Sequence, residues 1–141
     1  MLRILLVDDD ESFRKMVHLT LERAGHDIVD ARDGNEAMKL FRATPFDLVV
    51  TDLVMPDKEG LETILELRAE RPGIRIIAMS GGGRNSPGNY LKVAGQMGAA
   101  EVLAKPFSNQ ELFDAVESVT RTNPGQGSIA LETGKLSDPP G

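Results

Sequence analysis

The sequence predicts an α/β fold in which helices cover both faces of a five-stranded parallel sheet. Short apolar segments alternate along the chain with longer segments whose apolar residues recur every three or four positions. These patterns are typical of buried strands and amphipathic helices. Two of the apolar segments end in aspartates, at Asp8 to Asp10 and at Asp52. Strict alternation of strands and helices is the pattern of a doubly wound parallel sheet.

The first half of the chain predicts three strands and two helices. The strands are expected at residues 2–8, 27–31 and 47–51. The first helix has an apolar face of Phe13, Met16, Val17, Leu21 and Ala24. Gly25 is expected to end it in the left-handed conformation. A capping box from Asp33 to Glu36 opens the second helix, which extends to about Ala43 before Pro45 stops it.

The second half predicts three further helices and two strands. A helix is expected from about Gly60 to Arg71, with Leu61, Ile64, Leu65 and Arg68 on one side. Strands follow at residues 74–79 and 102–104, separated by a glycine-rich loop at 80–88 and a helix at about 89–97. A second capping box, from Ser108 to Glu111, opens the last helix, which continues to about Arg121.

Composition indicates one globular domain at residues 1–121, followed by a disordered tail or linker at 122–141 that is rich in glycine and proline. No apolar stretch has the length of about 20 residues that spans a bilayer, so no membrane partner is expected. The net charge of −6 argues against a nucleic-acid partner for this domain. The absence of cysteine fits a reducing compartment, and we expect a cytoplasmic location.

Polar residues follow four of the predicted strands: Asp8 and Asp9, Asp52, Ser80, and Lys105. The flavodoxin-like strand order 2-1-3-4-5 would bring all of them to one edge of the sheet, where open α/β sheets bind ligands. Clustered carboxylates at a buried site need a compensating charge, and carboxylate oxygens suit Mg²⁺. A further carboxylate can act as a nucleophile, while a hydroxyl and an ammonium group can hold phosphoryl oxygens.

With these residues in place, the chain resembles the receiver domains of two-component response regulators. The matching segments are residues 5–10 (LLVDDD), 47–56 (DLVVTDLVMP) with Gly60, 78–80 (AMS) and 105–107 (KPF). Each segment alone is a weak signal, but four in order, each at a predicted strand end, are specific. The resemblance covers residues 1 to about 121 and implies phosphorelay signalling by a domain that catalyses only its own phosphorylation and dephosphorylation.

The resemblance also implies a role for each site residue. Asp52 would accept a phosphoryl group from a sensor histidine kinase or a histidine phosphotransfer protein. Mg²⁺ would bind Asp9, Asp52 and the Val54 carbonyl, while Asp8 would act through water. Ser80 would hydrogen-bond the phosphoryl group and Lys105 would pair with it. The Lys105–Pro106 peptide bond is cis in the family. The switched surface would dock on a downstream protein target or an effector domain.

Three features depart from the family pattern. Val102 occupies a position that is usually Tyr or Phe, so we expect the aromatic part of the switch to be missing and Ser80 to carry the signal. Val54 and Gly82 occupy positions that often orient the water for dephosphorylation, and neither side chain can do so, which predicts a long-lived phosphorylated state. The loop after Ser80 is longer than usual and is either a passive insertion or a segment that orders on activation.

Two other functions compete with this interpretation. A haloacid-dehalogenase-type phosphatase with Asp8 as nucleophile would use the Asp8-Asp9-Asp10 segment as its Asp-x-Asp motif, but the later acidic pair of that family is absent from residues 100–104. A non-phosphorylated receiver-like interaction module would normally have lost an acid or the lysine, and all five key residues are present. The sequence leaves open whether the domain acts alone or within a longer regulator.

Overall fold

Five parallel strands and four helices occupy the part of the chain that the structure, a computed structural model, describes: residues 1–53, 60–80 and 98–121. The strands are β1 (Arg3–Val7), β2 (Asp27–Ala31), β3 (Leu48–Asp52), β4 (Arg75–Ser80) and β5 (Glu101–Ala104). The helices are α1 (Glu11–Arg23), α2 (Gly34–Ala43), α3 (Gly60–Glu70) and α4 (Asn109–Arg121). The predicted helix at 89–97, the loop at 81–88 and the tail at 122–141 lie outside the described residues.

The strands form one sheet in the order β2-β1-β3-β4-β5, and every neighbouring pair is parallel. This order confirms the flavodoxin-like prediction and places β1 beside β3 at the centre of the sheet. The carboxyl ends of β1, β3, β4 and β5 therefore meet along one edge. The predicted strand limits were displaced by one residue at most ends, because apolar patterning alone does not mark the last hydrogen-bonded residue.

Each face of the sheet carries its own hydrophobic core, because successive side chains of a strand point to opposite faces. Leu5 and Val7 of β1 belong to the cluster under α2 and α3, whereas Ile4 and Leu6 belong to the cluster under α1 and α4. All four are fully buried. This explains why the central strands read as unbroken apolar runs in the sequence.

Side-chain caps begin three of the helices. The Asp10 side chain accepts a hydrogen bond from the Phe13 N–H at the start of α1. In α2, Asp33 accepts from the Glu36 N–H, and the Glu36 side chain accepts from the N–H of Arg32. In α4, Ser108 and Glu111 each accept a hydrogen bond from the backbone N–H of the other. Both predicted capping boxes therefore start helices where the sequence placed them.

Helical periodicity located the helices but was wrong about parts of their buried faces. Met16 and Leu65, both expected on apolar faces, are 45% and 51% exposed. Ile64 of α3 is buried as expected, and the other buried residues of this helix are Gly60, Thr63 and Leu67. Because Gly60 and Thr63 lack a strong hydrophobic signal, the periodicity of apolar residues did not include them in the buried face and included Leu65. Among residues 1–53, 60–80 and 98–121, no helix has the length and apolar character needed to cross a membrane.

Candidate functional site

The ends of four strands bring the predicted polar residues to one edge of the sheet. Asp8 follows β1, Asp52 ends β3, Ser80 ends β4 and Lys105 follows β5. Asp52 is in register with Met79, and Ser80 with Ala104. The Lys105 N–H donates to the Ser80 carbonyl at 2.8 Å, which extends the β4–β5 pairing by one residue. The sheet itself therefore fixes the spacing of these residues.

Three carboxylates form the acidic part of the site. One oxygen from each of Asp8, Asp9 and Asp52 lies within 4.8 Å of the others. Asp8 has no exposed surface and Asp52 is 6% exposed, whereas Asp9 is exposed. Buried carboxylates this close repel one another unless a positive charge lies between them or beside them. The predicted clustering of these residues is confirmed by the structure.

Lys105 provides one compensating charge. Its Nζ lies 2.7 Å from Asp8 Oδ2 and 3.6 Å from Asp52 Oδ2, and its side chain is 15% exposed. Three carboxylates and one ammonium group leave a formal charge of two negative units. That remainder, with hard oxygen donors at close range, fits a divalent cation such as Mg²⁺. Among the described residues, the donors grouped at this site are all carboxylate oxygens, which suit a hard cation better than a softer metal.

Both side-chain oxygens of Asp8 accept hydrogen bonds. Its Oδ1 accepts a hydrogen bond from the Asp10 N–H at 2.9 Å, while its Oδ2 accepts from Lys105. Its backbone carbonyl accepts from Arg14 Nη1 at 2.7 Å. A carboxylate with both oxygens engaged and no exposed surface is a poor nucleophile for an incoming substrate. This geometry argues against the phosphatase alternative in which Asp8 attacks.

Ser80 carries a hydroxyl with unused hydrogen-bonding capacity. The residue is 1% exposed, and its Oγ has no hydrogen-bond partner among the residues that the structure describes. Leaving a buried hydroxyl unsatisfied costs about 1–3 kcal/mol. Such a group at the end of a central strand, beside Asp52, fits a site that gains an oxygen ligand in another state.

The sequence analysis did not predict a series of hydrogen-bonded side chains that leads away from Asp8. Arg14, which donates to the Asp8 carbonyl, also lies 3.3 Å from Asp30 Oδ2 through its Nε. His18 Nδ1 lies 2.6 Å from the other oxygen of Asp30. Elsewhere, His26 Nδ1 accepts a hydrogen bond from the Leu2 N–H. Burial lowers the pKa of His26. No local pattern links these partners, which are distant in sequence.

The remaining predicted positions divide into two groups. Val102 lies in β5, is partly buried and packs against the core cluster under α2 and α3. The expected cis peptide bond between Lys105 and Pro106 is present. Val54 and Gly82 lie outside the described residues, so the expectations about the metal-binding carbonyl and about slow dephosphorylation remain predictions.

Comparison with known proteins agrees with this arrangement of residues. The sequence model of the response regulator receiver domain matches residues 4–117. The chain belongs to this family. As a receiver domain it serves phosphorelay signalling, and family membership removes the phosphatase as a competing interpretation.

Curated relatives and solved structures support the same assignment. The chain is 33% identical over 135 residues to the DNA-binding transcriptional regulator NtrC of Azospirillum brasilense, covering 96% of this chain and 27% of NtrC. It is 33% identical over 120 residues to the regulatory protein PhoP of Bacillus subtilis, covering 84% of this chain and 48% of PhoP. The receiver domain therefore spans about half or less of these relatives.

Among solved structures, the response regulator TrrA from Thermotoga maritima, determined in complex with Mg²⁺ and BeF, superposes with a TM-score of 0.73 at 32% identity. The match covers 84% of this chain and 99% of TrrA. The chemotaxis protein CheY4 of Vibrio cholerae superposes with a TM-score of 0.76 at 30% identity, covering 84% of this chain and 98% of CheY4.

Proposed function

We propose that Asp52 accepts a phosphoryl group from a phosphohistidine of a sensor kinase or phosphotransfer protein, in a reaction that requires Mg²⁺. The observation that carries this proposal is the convergence of three kinds of group, carboxylate, hydroxyl and ammonium, on one edge of the sheet. Two further carboxylates and an ammonium group lie close to Asp52, and a buried hydroxyl with spare capacity ends the neighbouring strand. These are the groups that phosphoryl transfer to a carboxylate needs.

Each side chain has a distinct part in the proposed transfer. A carboxylate oxygen of Asp52 attacks phosphorus, a P–O bond forms, and the P–N bond to the donor histidine breaks with its electron pair leaving on the imidazole. Lys105 moves its ammonium group from the carboxylates to a phosphoryl oxygen, and Ser80 Oγ donates to another. Asp9, Asp52 and the carbonyl of Val54 would hold Mg²⁺, with Asp8 acting through water. The cation would neutralise charge that develops on the phosphoryl oxygens.

The proposal extends to the domain and its partners. Residues 1–121 form the receiver, and residues 122–141 form a tail or the start of a linker. The phosphorylated surface binds a downstream protein or an effector domain; the longer relatives NtrC and PhoP, which are transcriptional regulators, support this part of the proposal. The receiver does not itself bind nucleic acid. It resides in the cytoplasm, and the only reactions it catalyses are its own phosphorylation and dephosphorylation.

Incubation with acetyl phosphate and MgCl₂ tests the phosphoacceptor. Intact-mass measurement should show the gain of one phosphoryl group in the wild-type protein and none in Asp52→Asn, because only the carboxylate is nucleophilic. Asp27→Asn is a matched control, since Asp27 lies at the opposite end of the sheet and pairs with Arg3. A phosphoryl group that persists in Asp52→Asn would refute the assignment, as would repeated release of phosphate from an aryl phosphate.

The proposed switch runs through Ser80 and not through an aromatic side chain at position 102. When an oxygen ligand occupies Asp52, Ser80 should turn towards it and carry the adjoining backbone with it. Addition of beryllofluoride and Mg²⁺ should therefore shift backbone amide resonances in residues 80–107, with only a small change at Val102. Asp52→Asn serves as the control that loses the response. Unchanged resonances throughout 80–107 in the wild-type protein would contradict signalling through this face.

A further inference from the structure

The ring of Phe13 lies against the ammonium group of Lys105, which also contacts the acidic cluster. Lys105 Nζ is 4.2 Å from the ring centroid of Phe13, and the same atom is 2.7 Å from Asp8 Oδ2. The ammonium group thus contacts both a carboxylate and an aromatic face. Neither the sequence pattern nor the proposed reaction assigns a role to Phe13, which reads as an ordinary apolar residue of α1.

Two contacts fix the position of this ring. Phe107, which follows the Lys105–Pro106 bond, packs edge-to-face against Phe13 with centroids 5.6 Å apart and planes at 83°. The backbone N–H of Phe13 donates to the capping side chain of Asp10 at 3.1 Å. Both rings pack against the hydrophobic cluster under α1 and α4. The aromatic face is therefore set by the first turn of α1 and by the residues after β5.

The surroundings of Lys105 influence where its ammonium group points. Its side chain is only 15% exposed, and the Phe13 ring is one of the groups that lie against its ammonium group. The negative face of an aromatic ring attracts a cation, and the attraction is stronger when the cation is partly desolvated. A lysine side chain is flexible and would otherwise turn its ammonium group towards water. Attraction to the ring opposes that turn and favours positions of the ammonium group near Asp8 and Asp52.

We propose that Phe13 is a positioning residue that acts through Lys105: its ring keeps the ammonium group directed at the phosphoacceptor and so raises the rate of Asp52 phosphorylation. This inference rests on the proposed function of Asp52. A positioning role differs from a purely space-filling role in its requirement for an aromatic ring. An aliphatic side chain of similar size would fill the same space but would present no aromatic face to Lys105.

Phe13→Leu and Phe13→Tyr distinguish the two roles. With acetyl phosphate as donor, so that no kinase contact is involved, Phe13→Leu should lower the phosphorylation rate about three- to tenfold, the range expected from one cation–π contact. Phe13→Tyr keeps the aromatic face and should stay within about twofold of the wild-type rate. The Kd for Mg²⁺ alone, measured without donor, should change little in either variant. A wild-type rate in Phe13→Leu, or a loss of Mg²⁺ affinity that accounts for the slower rate, overturns the proposal.

A spectroscopic measurement tests the contact without phosphorylation. The methylene protons of Lys105 next to Nζ should show an upfield ring-current shift in the wild-type protein and in Phe13→Tyr, and should lose it in Phe13→Leu. Absence of that shift in the wild-type protein would overturn the positioning role. If the shift is present but Asp52 accepts no phosphoryl group, the proposed function fails while the aromatic contact stands, so the two failures are distinguishable.

Discussion

Gly60→Ala should lower the free energy of unfolding by at least about 3 kcal/mol, because the added methyl group has no space. A Cβ at Gly60 would lie 2.0 Å from the carbonyl oxygen of Asp52 and 2.4 Å from the Cα of Leu53. Both are backbone atoms, so no rotamer change relieves the overlap. The N–H of Gly60 also donates to the Leu53 carbonyl at 2.8 Å, which holds the start of α3 against the end of β3. Urea denaturation measures the loss.

Gly25→Ala is the matched control for this prediction. Gly25 has φ of +99°, and a Cβ added there meets nothing within 4 Å. Its substitution should therefore cost only the conformational strain of a left-handed residue, about 1–2 kcal/mol. If both variants lose the same free energy of unfolding, with the same slope against urea concentration, the close backbone contact at Gly60 does not limit the packing of α3.

Gly60→Ala should also slow the phosphorylation of Asp52, because the added Cβ overlaps the backbone of Asp52 itself. Relieving this overlap requires β3 and α3 to separate, and the carboxylate at the end of β3 moves with the backbone that carries it. The folded fraction of Gly60→Ala should accept phosphoryl groups from acetyl phosphate far more slowly than the wild-type protein, because small displacements at a reacting centre are costly. Gly25→Ala should keep the wild-type rate.

The sequence predicted the fold because its main signals are local. The apolar runs of β1 and β3, the capping boxes at Asp33 and Ser108, and the glycine at position 25 each depend on a few neighbouring residues. The convergence of Asp8, Asp52 and Lys105 followed from topology, since parallel strands place their carboxyl ends at one edge. Sequence reasoning therefore recovered the members of the acidic site without any side-chain coordinates.

Contacts between side chains of different helices and strands could not be predicted from the sequence. The ring of Phe13 beneath Lys105 joins residues 92 positions apart, and the pairing of His18 with Asp30 joins a helix to an adjacent strand. Neither contact leaves a periodic or compositional trace. The exposed position of Leu65 shows the same difficulty, because helical periodicity gives two overlapping stripes and only packing against the sheet selects one.

Lys105→Met should destabilise the metal-free protein by about 3 kcal/mol, because it leaves the buried Asp8 carboxylate without its positive partner. The Lys105 Nζ contacts are short, at 2.7 Å to Asp8 and 3.6 Å to Asp52, and Asp8 has no exposed surface from which water could replace them. Methionine retains most of the apolar stem, so the loss reports chiefly the missing charge. Lys15→Met, which removes the partner of Glu11 in an exposed pair, is the control and should change stability by less than about 1 kcal/mol.

Mg²⁺ should restore part of the stability that Lys105→Met loses, and this separates charge compensation from ordinary packing. The variant presents Asp8, Asp9 and Asp52 to the cation with no competing ammonium group, so a ligand that binds only the folded state stabilises it more than it stabilises the wild-type protein. Urea denaturation in MgCl₂ and in NaCl of equal ionic strength isolates the specific effect from screening. If MgCl₂ raises the free energy of unfolding equally in both proteins, Lys105 and the cation do not compete for these carboxylates. The proposed movement of Lys105 from the carboxylates to the phosphoryl group would then lose its basis.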